Sequence, residues 1–98
     1  MTESEALFER NPDFIFRIIV DEAVLVPVHN DIANMESIFT LNSVGAFIWK
    51  QLEQPTGFND LKNALVTEYS ASEEIIQADL ENFLLEMTSI GAIRKAGL

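Results

Sequence analysis

Cysteine is absent from this chain, histidine occurs once, and only 6 of 98 residues are Lys or Arg. The missing cysteine removes disulfides, thiolate nucleophiles and thiolate metal sites together, and it fits a reducing cytoplasm. The single histidine, His29, sits between polar neighbours in the sequence HNDIANM and reads as a plain loop residue. One imidazole among scattered carboxylates does not supply the paired ligand spacing of a metal site. The four glycines, Gly45, Gly57, Gly91 and Gly97, lie far apart, so no phosphate-cradling loop is spelled out. Long hydrophobic runs are missing too. The most apolar stretch, 14–28, is interrupted by Arg17, Asp21 and Glu22 and is too short to cross a bilayer. The opening MTESEALFER is acidic, unlike a signal or transit peptide.

Acid dominates what is there. Sixteen Asp and Glu against six basic residues give a formal net charge of −10, a field that repels phosphate backbones and anionic headgroups. Hydrophobic residues make up 48% of the chain, enough for one small globular core and inconsistent with disorder. No cofactor motif and no nucleophile with a nearby base can be found, so a non-catalytic binding module without cofactor or metal is expected.

Residues 1–12 read as a flexible arm ending at Asn11-Pro12, followed by a single domain over 13–95. DFIFRII predicts a strand over 14–20, AVLVPV a second over 23–28, and Asp21-Glu22 a hairpin turn between them. ESIFTL predicts a third strand over 36–41, with Phe39 and Leu41 on one face and Ile38 and Thr40 on the other. Asn42 suits the N-cap of a helix over 43–53, and Ser72 that of a helix ending near Ser89, before Gly91. A further helix over 58–69 lies between these two. The result is an α+β domain, an N-terminal three-stranded antiparallel sheet packed on three helices.

Two surfaces stand out as candidate binding faces. The third strand carries one charge, at its start, and no proline, which leaves its edge open to strand addition. On the third helix, Ile76, Leu80, Phe83, Leu84, Met87 and Ile90 form a broad apolar stripe that must face the core. A second stripe, Ile75, Ala78, Asn82, Leu85 and Ser89, is small, neutral or apolar in a helix otherwise rich in carboxylates, and reads as a groove wall. An open strand edge could also pair with a second copy of the chain.

The segments LN-x-x-G-A-x-I-W (Leu41, Asn42, Gly45, Ala46, Ile48, Trp49), D-x-x-x-F-L (Asp79, Phe83, Leu84) and I-G-A-I (90–93), with the opening NPDFIFRII…VLVPV, resemble the PqqD family. The resemblance runs from Asn11 to Ile93. It implies a winged helix-turn-helix fold and a role as a recognition element for ribosomally made, post-translationally modified peptides. Such a protein is a peptide chaperone that binds the leader of a precursor peptide and presents it to a modifying enzyme, often a radical SAM protein. By position, the leader would contact Ser37, Ile38, Phe39 and Thr40 on the strand and Ile75, Ala78, Asn82 and Leu85 on the helix. The connection VPVHNDIANMES is longer than the turn of the quinone-pathway member, a difference that leaves the leader-binding expectation intact.

The competing expectations are a general protein–protein adaptor and a DNA-binding winged helix. The second is disfavoured by charge: Glu73, Glu74, Asp79, Glu81 and Glu86 stand on the candidate reading helix, which has no Lys or Arg. Net charge instead predicts salt-sensitive association with a leader carrying Lys or Arg. Gly45 costs helix propensity, about 1 kcal/mol relative to Ala. Its presence predicts a close approach to a neighbouring element, with Trp49 over the bare backbone and no contact with a ligand.

Overall fold

A computed structural model describes residues 6–20, 22–28 and 38–96. The order is β1 (Leu7–Arg10), β2 (Phe14–Ile19), β3 (Glu22–Pro27), β4 (Phe39–Leu41), α1 (Ser43–Gln51), β5 (Thr56–Gly57), α2 (Phe58–Glu68), α3 (Glu73–Ser89) and β6 (Ile93–Lys95). Two antiparallel three-stranded sheets result, ordered β2-β3-β4 and β5-β1-β6. The expected α+β architecture, with one sheet from the N-terminal half and three helices after it, is present.

The β2-β3-β4 sheet follows its alternation. Phe16 pairs with Leu25, and Leu25 with Phe39, so one face carries Phe14, Phe16, Ala23, Leu25, Phe39 and Leu41 towards the helices. Leu25 is fully buried there, while Ile38 and Thr40 on the opposite face are exposed. The hairpin turn lies one position earlier than expected. Ile19 pairs with Glu22, so Glu22 already belongs to β3, and Val20, just past the end of β2, has a positive φ of 49°.

The arm expected over 1–12 is structured from Leu7 onwards. β1 is the central strand of the second sheet, with Leu7 opposite Gly57 and Glu9 opposite Arg94. Asn11 fastens its end: the backbone N–H donates to Ala92 O and the side-chain Nδ2 to Gly91 O, each at 2.8 Å. Arg10 reaches the C-terminal turn of α1, donating to Trp49 O from Nε at 3.0 Å and from a terminal nitrogen at 2.7 Å. Its guanidinium also lies 5.2 Å from the centre of the Trp49 ring, a cation–π contact. Burial pushes the Arg10 pKa below its ordinary value, opposed by the charge of Glu53. A guanidinium stays protonated under physiological conditions regardless, so the tie is permanent.

The helices close the core. Ile48, Trp49 and Leu52 of α1 and its C-cap meet Leu61 and Leu65 of α2 and Ile76, Leu80, Leu84 and Met87 of α3, all buried. Both expected N-caps are made: Asn42 Oδ1 accepts from the Gly45 N–H at 2.8 Å, and Ser72 Oγ from the Ile75 N–H at 3.3 Å. Each satisfies a backbone donor that the first helical turn leaves free. Gly91 ends α3 with φ 85°, the left-handed conformation glycine adopts without strain. Among the described residues, no helix is long and apolar enough to cross a membrane.

A candidate peptide groove between β4 and α3

β4 is the last strand in its sheet: one of its edges pairs with β3, and among the described residues no strand pairs with the other. That second edge looks onto a groove of about 450 Å³. The strand side is formed by Ile38, Phe39, Thr40 and Leu41, the end by Asn42, Val44 and Gly45 at the start of α1. The opposite wall is α3, presenting Asp79, Asn82, Phe83, Glu86 and Met87. A strand edge that no described strand pairs with, beside a groove of mixed polar and apolar lining, is a geometry that can accept an extended peptide as an additional strand.

The groove brings together some of the residues expected from the sequence and not others. Ile38, Phe39 and Thr40 lie on its strand side and Asn82 on its helix side. Ile75, Ala78 and Leu85 do not line it. All three are exposed, Ile75 57% and Leu85 70% accessible; Ala78 and Leu85 lie further round α3, and Ile75, one turn before Asp79 on the same face, lies beyond the groove's end. At 100° per residue, Leu85 points about 60° further round the helix than Asn82, away from β4. The uncharged stripe therefore overlaps the groove wall at Asn82 and continues past its rim. Ser37 and His29 lie outside the described residues.

Four side chains of the wall were not anticipated as site residues: Asp79, Phe83, Glu86 and Met87. Asp79, Asn82, Phe83 and Glu86 follow the i, i+3, i+4, i+7 spacing of one helical face, so the periodicity contained them. Selecting the uncharged face passed over them. Phe83, expected in the core, is only half-buried, because one side of its ring faces the groove.

Gly45 also differs from its expected role. The close approach is real: a Cβ at this position would lie 2.9 Å from Phe83 Cε1 and 3.3 Å from Asn42 Oδ1. Phe83, rather than Trp49, is the neighbour that the missing side chain admits. Gly45 also lines the groove, so it shapes that surface as well as the core.

The wall is acidic. Asp79 and Glu86 stand two turns apart on α3, no Lys or Arg lines the groove, and neither carboxylate forms a hydrogen bond or ion pair with a described residue. Among the described residues there is no group of three or more His, Cys, Asp or Glu placed to hold a metal ion.

Comparison with known proteins matches this arrangement to one family. The family described as Coenzyme PQQ synthesis protein D (PqqD) matches residues 22–93, which include β3, β4 and all three helices. The chain belongs to the PqqD family. Among solved structures, this PqqD-family chain is similar to one described as TbiB1 in complex with the TbiA(beta) leader peptide. The TM-score is 0.70 at 24% identity, covering 92% of this chain and 96% of the other, a likeness of fold. No curated protein matches the chain.

Proposed function

We propose that this PqqD-family protein is a non-catalytic recognition element that binds the leader of a ribosomally made precursor peptide and presents it to a modifying enzyme of the radical SAM type. The observation that carries the reading is the edge of β4 that no described strand pairs with, beside the groove walled by α3. Family membership and the fold shared with a leader-peptide complex support it.

In this reading the leader adds as a fourth strand beside β4, making main-chain hydrogen bonds to the 38–41 segment. Each such bond contributes only about 0.5–1.5 kcal/mol net, because the peptide gives up equivalent bonds to water. Selectivity must come from side chains. Alternate residues of the guest turn towards Phe83 and Met87, and the intervening ones lie over Ile38 and Thr40. Asn82 sits on the groove wall with two amide donors and a carbonyl acceptor available to the guest. Ile75, Ala78 and Leu85 form an outer rim that a longer guest reaches.

The experiment is an amide NMR titration of the labelled protein with synthetic leader segments from short reading frames beside its gene. Shifts confined to 38–45 and to the Asp79, Asn82, Phe83 and Glu86 face of α3 are expected. A well-folded sample that shows no shift with any of these peptides overturns the reading in favour of an adaptor contacting a folded protein.

A further inference from the structure

A second, smaller cavity of about 110 Å³ opens where the turn between α2 and α3 meets the start of α1. Its walls are Val44, Leu65, Tyr69, Ala71 and Ile76, with one carboxylate, Asp79. Val44 and Asp79 also line the large groove, so the two spaces adjoin at these residues. The small cavity lies beyond the end of β4, where the chain turns through Asn42 into α1 and there is no further strand edge to pair with.

We infer that this cavity is a second subsite of the peptide groove, taking one branched aliphatic side chain of the guest while Asp79 at the junction pairs with a neighbouring Lys or Arg. The inference rests on the leader-binding reading and adds to it the chemistry of the segment that is bound.

Three features select that guest. The first is shape: a cavity of about 150 Å³ holds a benzene ring, so the smaller space suits a Leu, Ile or Val side chain better than an aromatic one. The second is polarity. Apart from Asp79 the lining offers apolar groups and the ring of Tyr69, which is fixed edge-on against Phe47 at 5.6 Å and 84°. Water needs two or more polar partners to be held in such a space, so an aliphatic group displaces little of value. The third is charge. Asp79 has no partner among the described residues, and Lys62, whose nearest acidic partner is Glu73 at 3.7 Å, does not reach it. An unpaired carboxylate beside an apolar hole favours a guest in which a cation and an aliphatic group are close neighbours.

The test uses the full chain and synthetic N-terminal segments of the short peptides encoded beside its gene. Each Leu, Ile and Val is replaced by Ala in turn, and each Lys and Arg by Met. Ala71→Leu fills the cavity from an exposed position and should leave thermal unfolding unchanged. It should weaken the unmodified leader roughly tenfold or more by calorimetry, comparable to losing two or three buried methylenes. The same variant should bind one particular Ala-substituted leader as well as the wild-type protein does, which identifies the anchoring side chain. Asp79→Asn should lose affinity and salt dependence together, and a Lys- or Arg-to-Met leader should be insensitive to it. Wild-type binding with shifts at 38–41, but with Ala71→Leu and Asp79→Asn binding unchanged, removes the subsite and leaves the groove reading standing. No binding by the wild-type protein removes both.

Discussion

Gly45 of α1 and Phe83 of α3 are packed so closely that a methyl group on the first would stand 2.9 Å from Cε1 of the second. This contact ties the core to the groove, because the other side of the Phe83 ring forms part of the groove floor. Gly45→Ala gains about 1 kcal/mol of helix propensity and pushes a ring that has open space to move into. The net stability change is therefore expected to be small, while leader affinity falls as Phe83 tilts into the groove. Gly45→Val adds bulk that the ring cannot yield to, with a stability loss of about 1–3 kcal/mol. Chemical denaturation and calorimetric titration of the two variants separate these effects.

Asn82 and Leu85 test which face of α3 binds. Both are exposed, so neither substitution disturbs the core. Asn82→Arg places a long cation in the groove wall and is expected to weaken a basic leader by about tenfold, or ~1.4 kcal/mol. Leu85→Asp acts at the rim and should have a smaller effect. A larger loss from Leu85→Asp than from Asn82→Arg would move the binding face outwards, to the uncharged stripe.

The β2–β3 turn holds a β-branched residue in a left-handed conformation, Val20 at φ 49°. That conformation costs an L-residue roughly 1–2 kcal/mol, and Val20 is 89% exposed, so little packing compensates. Val20→Asn should stabilise the protein by about 1 kcal/mol, equivalent to a Tm rise of roughly 4–8 °C for a domain of this size. A thermal melt reads the change directly.

Arg10 carries the tie between β1 and α1. Replacing it with Met keeps the apolar stem and removes the hydrogen bonds to Trp49 O together with the cation–π contact. A loss of about 1.5–3 kcal/mol is expected, the range for hydrogen bonds involving a charged group. Amide exchange should rise first across β1 and β6. Glu9→Gln, which breaks only the exposed pair with Arg94, should cost less than about 1 kcal/mol.

Much of the fold was legible because it is written locally. Alternating apolar residues in FIFRII and FTL, the caps at Asn42 and Ser72, and the 3.6-residue stripe from Ile76 to Met87 each need only their own neighbourhood. Part of the candidate groove was legible for the same reason, since Ile38, Phe39, Thr40 and Asn82, which line it, were all visible in the pattern. On α3 the uncharged stripe and the groove lining coincide at Asn82 and differ elsewhere. A search for uncharged residues cannot see that a half-buried Phe83 and two unpaired carboxylates face the same gap.

The sequence by itself determined the acidic, cysteine-free character of this protein, its principal strands and helices, and which stripe of α3 enters the core. Only the tertiary structure decided the β5-β1-β6 sheet, the orientation of the remaining α3 face towards β4, and the small cavity at the α2–α3 turn. The physical reason is range. Strands of two to four residues such as β1, β5 and β6 carry too few positions to show a period, and they exist because Leu7 meets Gly57 and Glu9 meets Arg94 across long stretches of chain. The groove likewise is a gap between elements, and its shape depends on how closely Gly45 lets two helices approach.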